Sequence, residues 1–143
     1  MKITYLIERE VDDKMKIKDG KYFTKVVYVA GRYQGCSANK NYIETYCKQF
    51  TKEYPDVLFI NGVSALSFYY DCTSQLQGIA MCLELMKRCA DEVWVLGDDN
   101  NVSVGTNVEI FTAYENNIPI FSYDTTSDLL TRLDIVPEPM EYS

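Results

Sequence analysis

Four short apolar runs constrain this chain more than any other feature: VVYVA at residues 26–30, VLFI at 57–60, VWVL at 93–96 and IPIFSY at 118–123. Each is rich in β-branched or aromatic residues and carries no charge. A strand with one wet face alternates apolar with polar residues, so uninterrupted runs predict strands covered on both faces, as in a parallel sheet. Parallel neighbours cannot be joined by a tight turn and need long crossovers.

The segments between the runs read as those crossovers. Tyr42, Ile43, Tyr46, Cys47 and Phe50 fall on one stripe and predict a helix over 39–53, ended by Pro55. Leu76, Ile79, Ala80, Leu83 and Met86 predict a second, with Glu84, Lys87 and Arg88 on its polar side. A third is expected from Thr106 to about Asn116 and a short last one over 127–133. The alternation predicts an α/β fold: an open, mainly parallel sheet sandwiched by helices, flavodoxin-like or Rossmann-like, with right-handed crossovers. A single domain over residues 1–143 is expected, with an α/β core at 25–135 and a hairpin or extension at 1–24.

Composition narrows the chemistry. The net charge is −7, and residues 91–143 hold one basic residue, Arg132, against 11 acidic ones, which argues against a nucleic-acid groove there. There is no histidine, so triads, metal sites and acid/base steps that need imidazole are excluded. Five cysteines, Cys36, Cys47, Cys72, Cys82 and Cys89, lack CxxC spacing and do not form an even set. With no signal-peptide layout and no apolar run near the ~20 residues of a membrane span, a soluble, cytoplasmic protein without membrane partners is expected.

In an open parallel sheet, ligands bind beyond the carboxyl ends of the strands. That rule selects the loops at 31–37, 61–73, 97–105 and 123–126. Gly31-Arg32-Tyr33-Gln34-Gly35 combines two glycines with a following helix, a weak phosphate signature and equally a tight turn. The loop at 97–105 runs directly into a helix in whose first turn Glu109 is expected. Thr106 and Glu109 also have the spacing of a capping box, in which the carboxylate only satisfies a backbone N–H.

VYVAG in the first strand, DEVWVLGD at the third, SVGTNVEI entering a helix and NNIPIFSY at the fourth together resemble the nucleoside 2-deoxyribosyltransferase superfamily. They also resemble related uncharacterised phage and bacterial domains with a CDEVWVFG-type strand. The resemblance spans residues 26–123 and implies a deoxyribosyltransferase type of fold. It makes Glu109 the nucleophile and Tyr28 the strand residue that orients it. It also places Glu84 where the family carries a second carboxylate, normally Asp, although Glu84 reads equally as the partner of Lys87 and Arg88, and Tyr28 as a core aromatic. Ser103 stands where transferases acting on free nucleosides carry Asp and where the 2′-deoxynucleoside 5′-phosphate N-hydrolases carry a phosphate-holding Ser. Gln34 departs from the hydrolases' Arg, with Arg32 two residues earlier.

These matches imply a nucleoside or nucleoside 5′-monophosphate site. Gly31, Arg32, Gln34, Ser103 and the amides of Gly105 and Thr106 would bind substrate, and N-glycosidic cleavage or deoxyribosyl transfer would proceed with no cofactor and no metal. A protein that sequesters or senses a nucleotide without cleaving it is the alternative. The family also implies a homo-oligomer whose neighbouring chain closes the site, and Phe68-Tyr69-Tyr70 offers either an interface or core packing.

Overall fold

The computed structural model describes residues 22–32, 37–69, 72–97 and 104–134. The expected hairpin or extension at 1–24 lies almost wholly outside them. The four apolar runs become strands β1 (Lys25–Ala30), β2 (Val57–Ile60), β3 (Glu92–Leu96) and β4 (Ile120–Asp124). They pair in parallel in the order β2-β1-β3-β4, and a fifth strand, β5 (Leu129–Arg132), adds antiparallel to β4. Helices α1 (Ser37–Glu53), α2 (Gly62–Ala65), α3 (Gln75–Cys89) and α4 (Val104–Glu115) occupy the connections. The fold is therefore a five-stranded, mostly parallel sheet flanked by helices, compatible with a Rossmann-like arrangement.

Burial on both faces explains the unbroken apolar runs. Val27, Val29, Trp94, Leu96 and Tyr123 pack on one side with Ile43 and Phe50 of α1. Tyr28, Ala30, Val93, Val95 and Ile120 pack on the other with Met86 of α3 and Ile110 and Ala113 of α4. Phe50 anchors the first layer, its ring 4.8 Å from Tyr123, 5.1 Å from Trp94 and 5.5 Å from Phe59. The acidic pair of DEVWVLGD works at the amino edge of the sheet. Asp91 accepts from the Val26 N–H at 2.8 Å while its own N–H donates to the Val26 carbonyl, and Glu92 pairs with Lys25 at 2.8 Å.

The expected helix over 127–133 is instead a turn and a strand. Residues 127–133 are too few to nucleate a helix readily, and local side-chain chemistry favours reversal. Asp124 Oδ1 accepts from the Thr126 N–H at 2.8 Å, Asp128 takes a positive φ of 56°, and its carboxylate accepts from the Tyr123 hydroxyl at 2.5 Å. Leu130 then pairs with Tyr123 and joins the aromatic layer, while Leu129 stays exposed. No described helix is long and apolar enough to cross a membrane.

Candidate functional site

From β1 the chain passes to β2 on one side, then crosses back over β1 to β3 on the other. A parallel sheet opens a crevice at its carboxyl edge where the winding reverses in this way, and here that place lies between β1 and β3. Tyr28, paired in register with Ile60 of β2 and Val93 of β3, points from the interior strand β1 into the α3/α4 layer and is 1% exposed. On α4, Thr106, Asn107, Ile110 and Ala113 are buried, and Glu109 flanks that stripe, partly buried.

The Tyr28 hydroxyl donates to the Glu109 carboxylate. Burial pushes the Glu109 carboxyl up from 4.5 to about 7, and the Tyr28 hydrogen bond opposes that rise by favouring the ionised form. The Tyr28 phenol is raised well above its ordinary value, chiefly by burial and next by the negative charge of Glu109. A carboxyl that titrates near neutrality, held by a phenol at a sheet's switch point, can act as a nucleophile or as a proton carrier at physiological pH.

The start of α4 corrects one sequence expectation. The helix begins at Val104, so Thr106 lies inside it, buried, and Glu109 is its sixth residue, in the second turn. A capping box needs the threonine outside the first turn, and this geometry does not provide it. Glu109 is turned to Tyr28 instead.

Glu84 is also corrected. Gly78, Cys82 and Met86 form the buried stripe of α3, and Glu84 lies two residues from both Cys82 and Met86, on the opposite side. Its carboxylate accepts from Arg88 Nε at 2.7 Å and pairs with Lys87 Nζ at 3.2 Å. Those hydrogen bonds lower its pKa on an exposed surface. It does not join the Tyr28–Glu109 pair.

Among the expected substrate-binding positions, Gly105 is partly buried at the second residue of α4, Thr106 is buried, and Arg32 is exposed at the carboxyl end of β1. Gln34 and Ser103 lie outside the described residues. Gly31 has a packing reason of its own, since a Cβ there would come within 2.9 Å of Ile43 Cγ1.

Sequence reasoning selected the loop after β2 but singled out neither Asn61 nor Gly62 within it. Asn61 is buried. Its Nδ2 donates to the Val29 carbonyl at 2.7 Å and its Oδ1 accepts from the Ser64 N–H at 3.1 Å, capping α2. Gly62 follows, and its N–H donates to the Tyr28 hydroxyl oxygen. Cys82 reaches the same place from α3. The available signal was an Asn-Gly pair at the carboxyl end of a strand. A concavity of about 190 Å³ lies in the α1 layer, lined by Gln49, Glu53, Tyr54, Trp94, Tyr123 and Asp128 among others.

No curated protein and no solved structure matches the chain. A family model described as a domain of unknown function (DUF7768) matches residues 25–123, from the first residue of β1 to the penultimate residue of β4. That stretch includes Tyr28, Gly62, Cys82 and Glu109, so the chain belongs to the DUF7768 family.

Proposed function

We propose that this protein binds a nucleoside or nucleoside 5′-monophosphate at the carboxyl edge of its sheet and cleaves or transfers the N-glycosidic bond through Glu109. The observation that carries this reading is the hydrogen-bonded Tyr28–Glu109 pair at the switch point, with the Glu109 carboxyl pushed up to about 7. In the reaction, a Glu109 carboxylate oxygen forms a bond to C1′. The C1′–N bond breaks, its electron pair leaves with the base, and the base takes a proton from solvent. Water or a second base then attacks C1′, which frees the carboxylate and completes hydrolysis or transfer. Tyr28 holds one carboxylate oxygen, so the other faces the sugar.

The resemblance to deoxyribosyltransferases supplies the substrate class, and the absence of imidazole from the chain fits a mechanism built on a carboxylate and a phenol. The reading needs no metal or organic cofactor. A 5′-phosphate would sit at the start of α4, whose first turn contains no acidic residue and whose positive dipole end favours an anion. A neighbouring copy of the chain would close the site, with Phe68, 75% exposed after β2, on the covering edge.

One observation favours the second reading, a protein that sequesters or senses the nucleotide without cleaving it. Glu84 is turned away, so among the described residues it supplies no second acid at the pair. Incubation with deoxynucleosides and deoxynucleotides, followed by chromatography, separates the two. Free base appears under the first reading, and saturable binding without free base under the second.

A further inference from the structure

The Tyr28 hydroxyl meets more than Glu109, and its other neighbours come from the loop after β2 and from α3. Gly62 donates its N–H to the phenol oxygen, and the Cys82 side chain lies alongside. A Cβ at residue 62 would stand 2.5 Å from Tyr28 Oη, 2.6 Å from Cys82 Sγ and 2.9 Å from Cys82 Cβ. None of these atoms yields easily. Tyr28 is locked in the interior strand β1 at 1% exposure, and Cys82 is buried on α3.

The direction of the hydrogen bonds gives the contact a consequence. A phenol has one proton to donate and lone pairs that accept. An N–H aimed at its oxygen occupies the accepting side, which leaves the proton for Glu109. The donor is itself fixed, because Asn61 ties the first turn of α2 to the Val29 carbonyl, one residue beyond Tyr28.

We infer that Gly62 is a positioning residue for Glu109, acting through the Tyr28 hydroxyl: its N–H sets the direction of the Tyr28 hydrogen bond, and its missing side chain makes room for the phenol. The catalytic consequence rests on Glu109 being the nucleophile of the proposed reaction. The positioning itself is a matter of geometry and is read without turnover.

The test compares wild type, Tyr28→Phe, Gly62→Ala and the double variant, following the Glu109 carboxyl by ¹³C NMR titration and base release in parallel. Tyr28→Phe removes the bond that favours the ionised form, so Glu109 should titrate about one pH unit higher. Gly62→Ala should do the same by displacing the hydroxyl. Turnover should fall about tenfold in each single variant, with KM within about twofold of wild type. In the Tyr28→Phe background the atom that Gly62→Ala displaces is gone, so the second substitution should add little to either readout. Should Gly62→Ala not fold, Gly62→Ala with Cys82→Ala relieves the sulfur contact and is read in the same way. A folded residue-62 variant in which Glu109 titrates as in wild type, or a double variant with additive effects, overturns the inference. If Glu109 responds to both substitutions but no variant and no wild type releases base, the positioning stands and the nucleophile assignment falls. Base release with an unmoved titration gives the converse.

Discussion

Replacing Glu109 by Gln tests the electrostatics of the site without any substrate. The amide keeps the shape of the carboxyl and an acceptor oxygen for Tyr28, and it removes the charge. Burial holds the wild-type carboxyl at about 7 rather than 4.5. A carboxyl whose folded pKa exceeds its unfolded one binds its proton more tightly in the folded state. Its contribution is present in full below about 4.5 and is lost as the pH rises through about 7. At about 1.4 kcal/mol per pKa unit the shift corresponds to about 3 kcal/mol, and the partial exposure of Glu109 trims this to about 2 kcal/mol by screening. Gln carries no such loss. In urea unfolding, Glu109→Gln should lie within about 1 kcal/mol of wild type near pH 5 and be more stable by about 2 kcal/mol near pH 8.5. With a slope of about 2 kcal/mol per molar, the unfolding midpoint at the higher pH should move up by about 1 M urea. A difference between the two proteins that does not change with pH, or a Gln variant less stable at pH 8.5, would refute the raised Glu109 pKa.

Other consequences follow from the same geometry. Glu84→Gln should leave base release unchanged and barely move a thermal melt, because it breaks only exposed helix pairs; a large loss of turnover would restore the catalytic role that its orientation denies. Tyr123→Phe strips a hydroxyl that donates to the Asp128 carboxylate, and chemical denaturation should show a loss of about 1.5 kcal/mol with little change in base release. If the start of α4 receives a phosphate, calorimetry should give tighter binding of a deoxynucleoside monophosphate than of its nucleoside, by about tenfold or more. Equal affinities would remove the phosphate from the proposal.

The fold was legible where one physical signal dominated. Unbroken apolar runs located β1 to β4 because both faces of a parallel sheet are dry, and the stripe from Tyr42 to Phe50 located α1 because one helix face meets that sheet. The β5 hairpin was misread because Leu129, Leu130 and Leu133 suit a helix as well as a strand. The deciding term was the turn chemistry of Asp124 and Asp128, which acts over a few residues and leaves no periodic trace. At the candidate site, Tyr28 and Glu109 were singled out through the family resemblance, and their contact depends on a strand and a helix that are far apart in sequence. Glu84 was misplaced because matching by position along a helix ignores its face, and two residues from Cys82 is the far side. Asn61 and Gly62 were passed over because a short polar loop shows its purpose only once β2 has brought it beside Val29 and Tyr28.

Base release by wild type and by Glu109→Gln, measured by chromatography on a panel of deoxynucleosides and their 5′-monophosphates, tests the central claim most directly. The account predicts free base from at least one member of the panel with wild type. It also predicts a rate that rises with pH through about 7 as Glu109 ionises, and no release above the no-protein control with the folded Gln variant. Wild-type rates from Glu109→Gln, or no free base from any member of the panel, would contradict it.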